Sequence, residues 1–130
     1  MSLFEHFCEE TRYSEATVCF YLEQVLQALQ YMHSRKIVFL DLKPENVLLD
    51  TTENRVKLID FGSSTDASNN GDSVDGRAIA EASEGSPEFL APEIISNGPL
   101  GAYTDMWGFG VLLYVALRYR DRIGVRIALL

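Results

Sequence analysis

The chain has 130 residues, 47% of them hydrophobic, and a formal net charge of −8, which fits one globular domain. Its longest apolar stretch, Phe109 to Leu117, is interrupted by Gly110 and is far shorter than the roughly 20 residues that span a bilayer. No membrane partner is therefore expected. An acidic surface repels phosphate backbones, so the charge argues against nucleic-acid partners and favours a basic peptide. The N-terminus lacks the features of a signal peptide, so we expect a cytoplasmic location.

The first clear element is an amphipathic helix that begins after Ser14 and ends near Ser34. The Ser14 hydroxyl is suited to cap the free amides of the first turn. Apolar residues then follow at spacings of three and four, which is typical of a helix with one buried face. These residues are Val18, Tyr21, Leu22, Val25, Leu26, Leu29 and Met32.

Three short runs rich in β-branched residues follow this helix, and each is predicted to be a strand. They are Ile37–Leu40, Val47–Leu49 and Val56–Ile59. A turn containing Pro44 separates the first two, and a polar turn over 51–54 separates the last two. The sequence therefore predicts loops held between paired short strands.

The second half of the chain is less regular. The composition of residues 63–84 is mostly Ser, Asp, Asn, Gly and Ala, which predicts a flexible segment. Thr104 is suited to cap a second helix, from Asp105 to about Leu117, that is apolar on most faces and is expected to lie centrally in a core. Residues 118–130 are rich in arginine and are interpreted as a divergent basic tail.

Polar side chains in two of the loops have the properties that phosphoryl transfer requires. The first loop contains Asp41, Lys43 and Asn46, and the second contains Asp60. This reaction needs a carboxylate that orients a hydroxyl, oxygen ligands for Mg²⁺ and a cation for the migrating charge. Asp41 is suited to the first role, Asn46 with Asp60 to the second, and Lys43 to the third.

Four motifs in a fixed order carry a family resemblance. They are Asp-Leu-Lys-Pro-Glu-Asn at 41–46, Asp-Phe-Gly at 60–62, Gly-Ser-Pro-Glu-Phe-Leu-Ala-Pro-Glu at 85–93 and Asp-Met-Trp at 105–107. Together they resemble the Ser/Thr protein kinases over roughly residues 3–117, and look most similar to the calcium/calmodulin-dependent group with its myosin light chain, titin-like and death-associated kinases. The resemblance implies an α+β fold, in which residues 1–117 form part of a mostly helical C-terminal lobe with short strands around the catalytic loop and residues 63–84 form the activation loop.

The resemblance also implies a role for each matching residue at the nucleotide. Asp41 corresponds to the catalytic base, and Lys43 to the contact with the γ-phosphate of ATP that also marks the Ser/Thr type. Asn46 and Asp60 correspond to the ligands of Mg²⁺, and Leu48 to part of the floor under adenine. ATP and Mg²⁺ are the implied cofactors.

Further positions match the family's substrate-binding residues. Glu45 matches a position that binds basic residues near the phosphoacceptor of a protein substrate. Ser86 matches the hydroxyl residue that steadies the base, and Phe89 and Leu90 match the pocket for the residue after the phosphoacceptor.

Four matched positions have structural roles in the family. Asp105 is expected to brace the catalytic loop from the second helix, and Glu93 to pair with a downstream arginine. Phe61 and Gly62 complete the Asp-Phe-Gly turn.

The chain departs from the family pattern just before Asp41, where Phe39 and Leu40 replace the usual His-Arg. Leu40 has no guanidinium to grip a phosphate, so activation by phosphorylation of the loop is not expected. The Phe39 ring still fills the volume beneath the Asp-Phe-Gly turn.

The 130 residues contain no glycine-rich phosphate loop and no strand lysine of the kinase type, so the chain alone is expected to be inactive within an active parent kinase. The alternative is a kinase-like interaction module of a scaffold protein with little or no catalysis. Retention of Asp41, Lys43, Asn46 and Asp60 favours the enzyme. Any calmodulin-regulated segment is expected beyond Leu130.

Overall fold

The computed structural model describes residues 1–9, 13–66 and 89–127, with side chains for all of these except 4, 8, 9 and 119–127. This part combines helices with short antiparallel strands, in agreement with the predicted α+β class. The helices are α1 (Leu3–Glu9), α2 (Glu15–Ser34), α3 (Pro92–Ile95) and α4 (Ala102–Ile127). The strands are β1 (Ile37–Val38), β2 (Val47–Asp50), β3 (Arg55–Leu58) and β4 (Thr65–Asp66).

A reciprocal cap starts α1. The Ser2 N–H donates to Glu5 Oε2 (2.7 Å), and the Glu5 N–H donates to Ser2 Oγ (3.0 Å), so two otherwise free amides are satisfied. The hydrogen bond from the Ser2 main chain, followed by that from its side chain, lowers the pKa of Glu5. The same N-terminal segment pairs with β2, since the Leu49 N–H donates to the Met1 carbonyl (2.9 Å).

Helix α2 is the element that the sequence predicts best. Ser14 Oγ accepts from the Thr17 N–H (3.1 Å), and the helix ends at Ser34 as predicted. Its buried side chains lie on the predicted apolar face, which packs into the core. They are Val18, Tyr21, Leu22, Val25, Leu29 and Met32.

Strands β2 and β3 form an antiparallel hairpin in which Val47 lies opposite Leu58. The Asp50 carboxylate holds the turn, because Oδ1 accepts from the N–H groups of Glu53 (3.3 Å) and Thr52 (3.1 Å). These bonds, that from Glu53 first, lower the pKa of Asp50. The turn therefore fixes the register of the two strands that carry the candidate site.

Strand β1 is shorter than predicted. The sequence predicts extended structure from Ile37 to Leu40, whereas β1 ends at Val38, where it pairs with Thr65 of β4. Leu40 has φ 67°, a left-handed conformation that a strand does not contain. Residues 63–66 were expected to begin the flexible segment, but they include the end of a 3-10 turn and strand β4; residues 67–84 lie outside the described residues.

Helix α4 differs from its prediction at both ends. It starts at Ala102, so Thr104 lies in its first turn, where Thr104 Oγ1 accepts from the Gly101 N–H (3.1 Å). It was predicted to end near Leu117 but continues to Ile127. No proline follows Leu117, and Gly124 costs a helix only about 1 kcal/mol, so nothing local stops it.

The expectation that α4 is central to a core is correct for one face only. Asp105, Leu112 and Ala116 are buried, whereas Trp107 and Tyr114 are 47% and 63% exposed. The helix therefore packs along one stripe against α1, α2 and the segment around Asp41, and its other face is apolar and open.

Two apolar clusters flank the segment from Phe39 to Asn46. The larger cluster joins α1, α2, β2 and α4 through residues such as Leu3, Val25 and Leu112. The smaller cluster consists of Val38, Leu40, Ala91, Ile94 and Leu100. In the part of the chain that the structure describes, no helix is long and apolar enough to cross a membrane.

Candidate active site

Asp41 lies at the centre of a small hydrogen-bonded group. Its Oδ1 is 3.1 Å from Lys43 Nζ, and its Oδ2 accepts from Asn46 Nδ2 (2.8 Å). Asn46 Nδ2 also donates to the Asp41 carbonyl (2.8 Å). Pro44 begins a 3-10 turn that ends at Asn46, and this turn brings the amide back over Asp41. Three predicted site residues are thus brought together, and both oxygens of Asp41 have partners.

Asn46 connects this group to the segment of Asp60. Its carbonyl accepts from the Ile59 N–H (2.9 Å), immediately before Asp60. Asp60 has φ 64°, and its Oδ1 accepts from the Gly62 N–H (3.3 Å). A Cβ at Gly62 would lie 3.2 Å from the same oxygen, so glycine suits this tight turn. Asp60 itself is exposed, and the hydrogen bond between Asn46 and Ile59 ties its segment to the loop of Asp41.

The predicted aromatic contact under the Asp-Phe-Gly turn is present. Phe39 is fully buried, and its ring meets the Phe61 ring edge to face at 5.3 Å between centroids. Ser64 Oγ donates to the Phe39 carbonyl (3.3 Å). These contacts join the chain before Asp41 to the chain after Asp60.

Asp105 holds the segment before Asp41 from α4. Its Oδ2 accepts from the Phe39 N–H (2.8 Å) and its Oδ1 from the Leu40 N–H (2.7 Å). The residue is only 1% exposed, and His33 Nε2 lies 2.7 Å from Oδ2. A buried carboxylate is stable when hydrogen bonds satisfy it, and here three donors do so.

Two of the candidate substrate-binding residues lie close to Asp41. Phe89 and Leu90 are partly buried and line a small pocket together with Asp41 and Lys43. Glu45 is exposed in the 3-10 turn that directly follows Lys43. Ser86 lies outside the described residues.

Two further predicted residues lie at the margins of this group. Leu48 is partly buried on β2, on the face opposite Val47 and Leu49, and it bridges to Ser2. Glu93 is partly buried in α3, where its carbonyl accepts from the Gly98 N–H (2.8 Å).

Two oxygen donors in these segments are of the kind that suits a Mg²⁺ ion bound to a nucleotide. Asn46 uses Nδ2 toward Asp41, which leaves its Oδ1 as a ligand, and Asp60 offers a carboxylate. Mg²⁺ bound through one or two protein oxygens takes its other ligands from phosphates and water. Among the described residues, no group of three or more His, Cys, Asp or Glu forms a metal site, so a closed protein cage for a metal is not found there.

Sequence reasoning missed two residues that face the site, His33 and Gly108. His33 follows Leu29 by four positions, so it lies at the edge of the apolar stripe of α2. Gly108 approaches the loop of Asp41 closely, since a Cβ there would lie 3.2 Å from both Leu42 O and Leu42 Cβ. Its spacing of three residues from Asp105 and four from Leu112 was the available signal.

Comparisons with known proteins agree with this arrangement. The family model described as "Protein kinase domain" matches residues 1–122. Death-associated protein kinase dapk-1 of Caenorhabditis elegans is 37% identical over 116 residues, which is 88% of this chain and 8% of that protein. The titin homolog of C. elegans is 41% identical over 117 residues, which is 88% of this chain and 1% of that protein.

A mammalian relative gives the same result. Death-associated protein kinase 2 of Homo sapiens is 37% identical over 118 residues, which is 88% of this chain and 30% of that protein. The chain therefore spans well under half the length of each of these relatives. The predicted resemblance to death-associated and titin-like kinases is confirmed, and the chain belongs to the protein kinase family.

Proposed function

We propose that the protein containing this chain transfers the γ-phosphoryl group of ATP to serine or threonine hydroxyls of protein substrates. In this proposal, residues 1–117 form part of the C-terminal lobe of the kinase domain. The observation that carries the proposal is the Asp41 carboxylate, which is 3.1 Å from Lys43 Nζ and 2.8 Å from Asn46 Nδ2.

Each of these side chains has a defined task. Asp41 orients the substrate hydroxyl and accepts its proton, since its carboxylate is held by Lys43 and Asn46 at fixed positions. Lys43 stabilises the charge of the transferred group. Asn46 Oδ1 and the Asp60 carboxylate hold Mg²⁺, and Leu48 contacts the adenine. Mg-ATP supplies the phosphoryl group when it is bound.

The substrate is proposed to carry basic residues near the phosphoacceptor. Glu45 is exposed two residues after Lys43, which lines a pocket with Asp41, Phe89 and Leu90, so it can pair with a substrate arginine or lysine. The partly buried Phe89 and Leu90 favour an apolar residue after the phosphoacceptor. The net charge of −8 favours the approach of such a peptide.

The 130 residues by themselves are proposed to be inactive. They contain no glycine-rich loop over the phosphates and no strand lysine of the kinase type, so they supply only one side of a nucleotide cleft.

The cytoplasmic location expected from the sequence is part of the same proposal. A fluorescent fusion of the full-length protein tests it, and a signal confined to another compartment would contradict it.

A second candidate function is supported by the match to the titin homolog, at 41% identity. In that case the domain binds partners within a large scaffold protein and has little catalysis. Sequencing of the full-length transcript distinguishes the two functions. Only a catalytic domain needs the glycine-rich loop and the strand lysine upstream of these 130 residues.

The decisive experiment is phosphoryl transfer by the full-length protein to basic Ser, Thr and Tyr peptides. Asp41→Asn is expected to lower kcat by about 10²–10⁴-fold, the contribution of a positioned general base. Asp50→Asn is the matched control, since it makes the same change in the β2–β3 turn. Equal rates for wild type and Asp41→Asn would refute the proposed role of Asp41, and transfer to tyrosine alone would refute the Ser/Thr type.

A further inference from the structure

His33 contacts the buried carboxylate that holds the catalytic loop. It occupies the last turn of α2, and its side chain is 17% exposed. Nε2 lies 2.7 Å from Asp105 Oδ2, and the Asp105 side chain is completely buried. Within the described part of the chain, His33 is the basic side chain in ion-pair range of Asp105.

The other partners of Asp105 determine the direction of this hydrogen bond. The carboxylate accepts from the Phe39 N–H at Oδ2 and from the Leu40 N–H at Oδ1. An ionised carboxylate can only accept hydrogen bonds, so with Asp105 ionised the third contact is donated by the Nε2–H of His33. His33 and Phe39 share Oδ2, so the imidazole limits rotation of the carboxylate away from the two main-chain donors.

The main chain at this point needs support. Leu40 has φ 67°, which is unfavourable for a residue with a side chain. Leu40 directly precedes Asp41, so any relaxation of its backbone changes the direction of the Asp41 side chain. The hydrogen bond from the Leu40 N–H to Asp105 Oδ1, at 2.7 Å, opposes that relaxation.

We propose that His33 is a positioning residue for Asp41. By donating from Nε2, it fixes the plane of the Asp105 carboxylate, and the carboxylate holds Phe39 and Leu40 in the conformation that aims Asp41 at its partners. The effect on catalysis rests on the proposed kinase function. The effect on the geometry of the loop does not.

A pair of near-isosteric variants separates hydrogen-bond donation from simple packing. His33→Gln keeps an N–H donor near the position of Nε2, whereas His33→Met fills a similar volume without a donor. Gln30→Met is the matched control, because Gln30 is exposed on the same helix. All three variants are made in the full-length protein.

Hydrogen exchange of the peptide that covers Phe39 and Leu40 gives a readout that needs no turnover. We expect exchange on the order of tenfold faster in His33→Met than in wild type, because the amides lose a fixed acceptor. His33→Gln and Gln30→Met are expected to exchange like wild type. Equal exchange in His33→Met and His33→Gln would overturn the proposal.

Kinetics then test the link to Asp41. His33→Met is expected to lower kcat by about 10- to 100-fold with KM for ATP and peptide unchanged, since a displacement of about 1 Å at a catalytic group has effects of this size. His33→Gln is expected to stay within about threefold of wild type. If His33→Met does not fold, a loss of kcat greater than about threefold in His33→Gln still overturns the proposal. An inactive wild-type protein would refute the kinase function, and the exchange comparison would still decide whether His33 holds the loop.

Discussion

The two faces of α4 have similar apolar content and opposite environments. One face carries Asp105, Gly108, Leu112 and Ala116, which are buried against the loop of Asp41 and the main core. The other carries Met106, Trp107 and Tyr114, which are 43%, 47% and 63% exposed. With Gly110 and Val111 they form an open apolar depression.

The difference between the faces lies in their contacts and not in their hydrophobicity. The inner face is buried although it contains a charged residue, Asp105. Burial of this charge is possible because the main chain before Asp41 donates hydrogen bonds to it. The outer face has large apolar side chains that stay largely exposed. In this helix, a buried polar group marks the functional side better than apolar content does.

The largest expected effect follows from removing the charge on the inner face. Asp105→Asn turns one acceptor oxygen into a donor that faces a main-chain N–H or His33, so a buried donor is left unsatisfied. We expect the free energy of unfolding to fall by about 3 kcal/mol. Met106→Asn, which places an amide on the exposed face, is expected to cost less than about 1 kcal/mol. Urea denaturation measures both, and equal losses would remove the distinction between the faces.

The two glycines of α4 give a finer test. A Cβ at Gly110 meets nothing within 4 Å, so Gly110→Ala is expected to stabilise the helix by up to about 1 kcal/mol. A Cβ at Gly108 lies 3.2 Å from the Leu42 carbonyl, so Gly108→Ala is expected to be about 1–3 kcal/mol less stable than Gly110→Ala. Thermal or urea unfolding of the two variants gives the difference. Equal stabilities would mean that the helix does not approach the loop this closely.

Changes on the outer face are expected to affect solution behaviour more than stability. Tyr114→Lys replaces a 63% exposed ring, so the free energy of unfolding should change by less than about 0.5 kcal/mol. Self-association should decrease, because exposed apolar patches promote contacts between molecules. Sedimentation velocity measures the second effect. A large loss of stability would show that Tyr114 has a partner in the folded chain.

The smallest expected effect concerns pH and helix α1, which packs against the inner face of α4 through Leu3 and Phe7. Hydrogen bonds from Ser2 lower the pKa of Glu5 in the folded state. Because the pKa of Glu5 is lower in the folded than in the unfolded state, the ionised carboxylate stabilises the fold at pH values above the unfolded-state pKa. This stability is lost as the pH falls through the folded-state pKa, below roughly pH 4. Glu5→Gln should therefore flatten this part of the stability profile. An unchanged acid slope would show that the cap does not form.

The sequence predicts α2 well and α4 poorly for a physical reason. The cap and apolar stripe of α2 are local signals, and both are confirmed by Ser14 and the buried residues that follow it. The exposure of Trp107 depends on which elements pack against α4, and an all-round apolar pattern does not contain that information. The end of α4 was wrong because a change of composition at Arg118 is not a helix stop signal.

The same limit applies to the candidate site. The motifs predicted that Asp41, Lys43 and Asn46 act together, and the structure brings them within hydrogen-bond range. The left-handed conformation of Leu40 was not predictable, since it depends on an acceptor 65 residues further along the chain. His33 was missed for a related reason, because its partner lies on a different helix.

The central claim is that the segments of Asp41 and Asp60 serve one Mg-bound triphosphate. The most direct test is a crystal structure of the full-length protein with Mg²⁺ and a non-hydrolysable ATP analogue. We predict Asn46 Oδ1 and an Asp60 oxygen at about 2.1 Å from one Mg²⁺ ion, with the Asp41 carboxylate facing the γ-phosphate. An Asp60 side chain directed away from the nucleotide, or a γ-phosphate remote from Asp41, would contradict it.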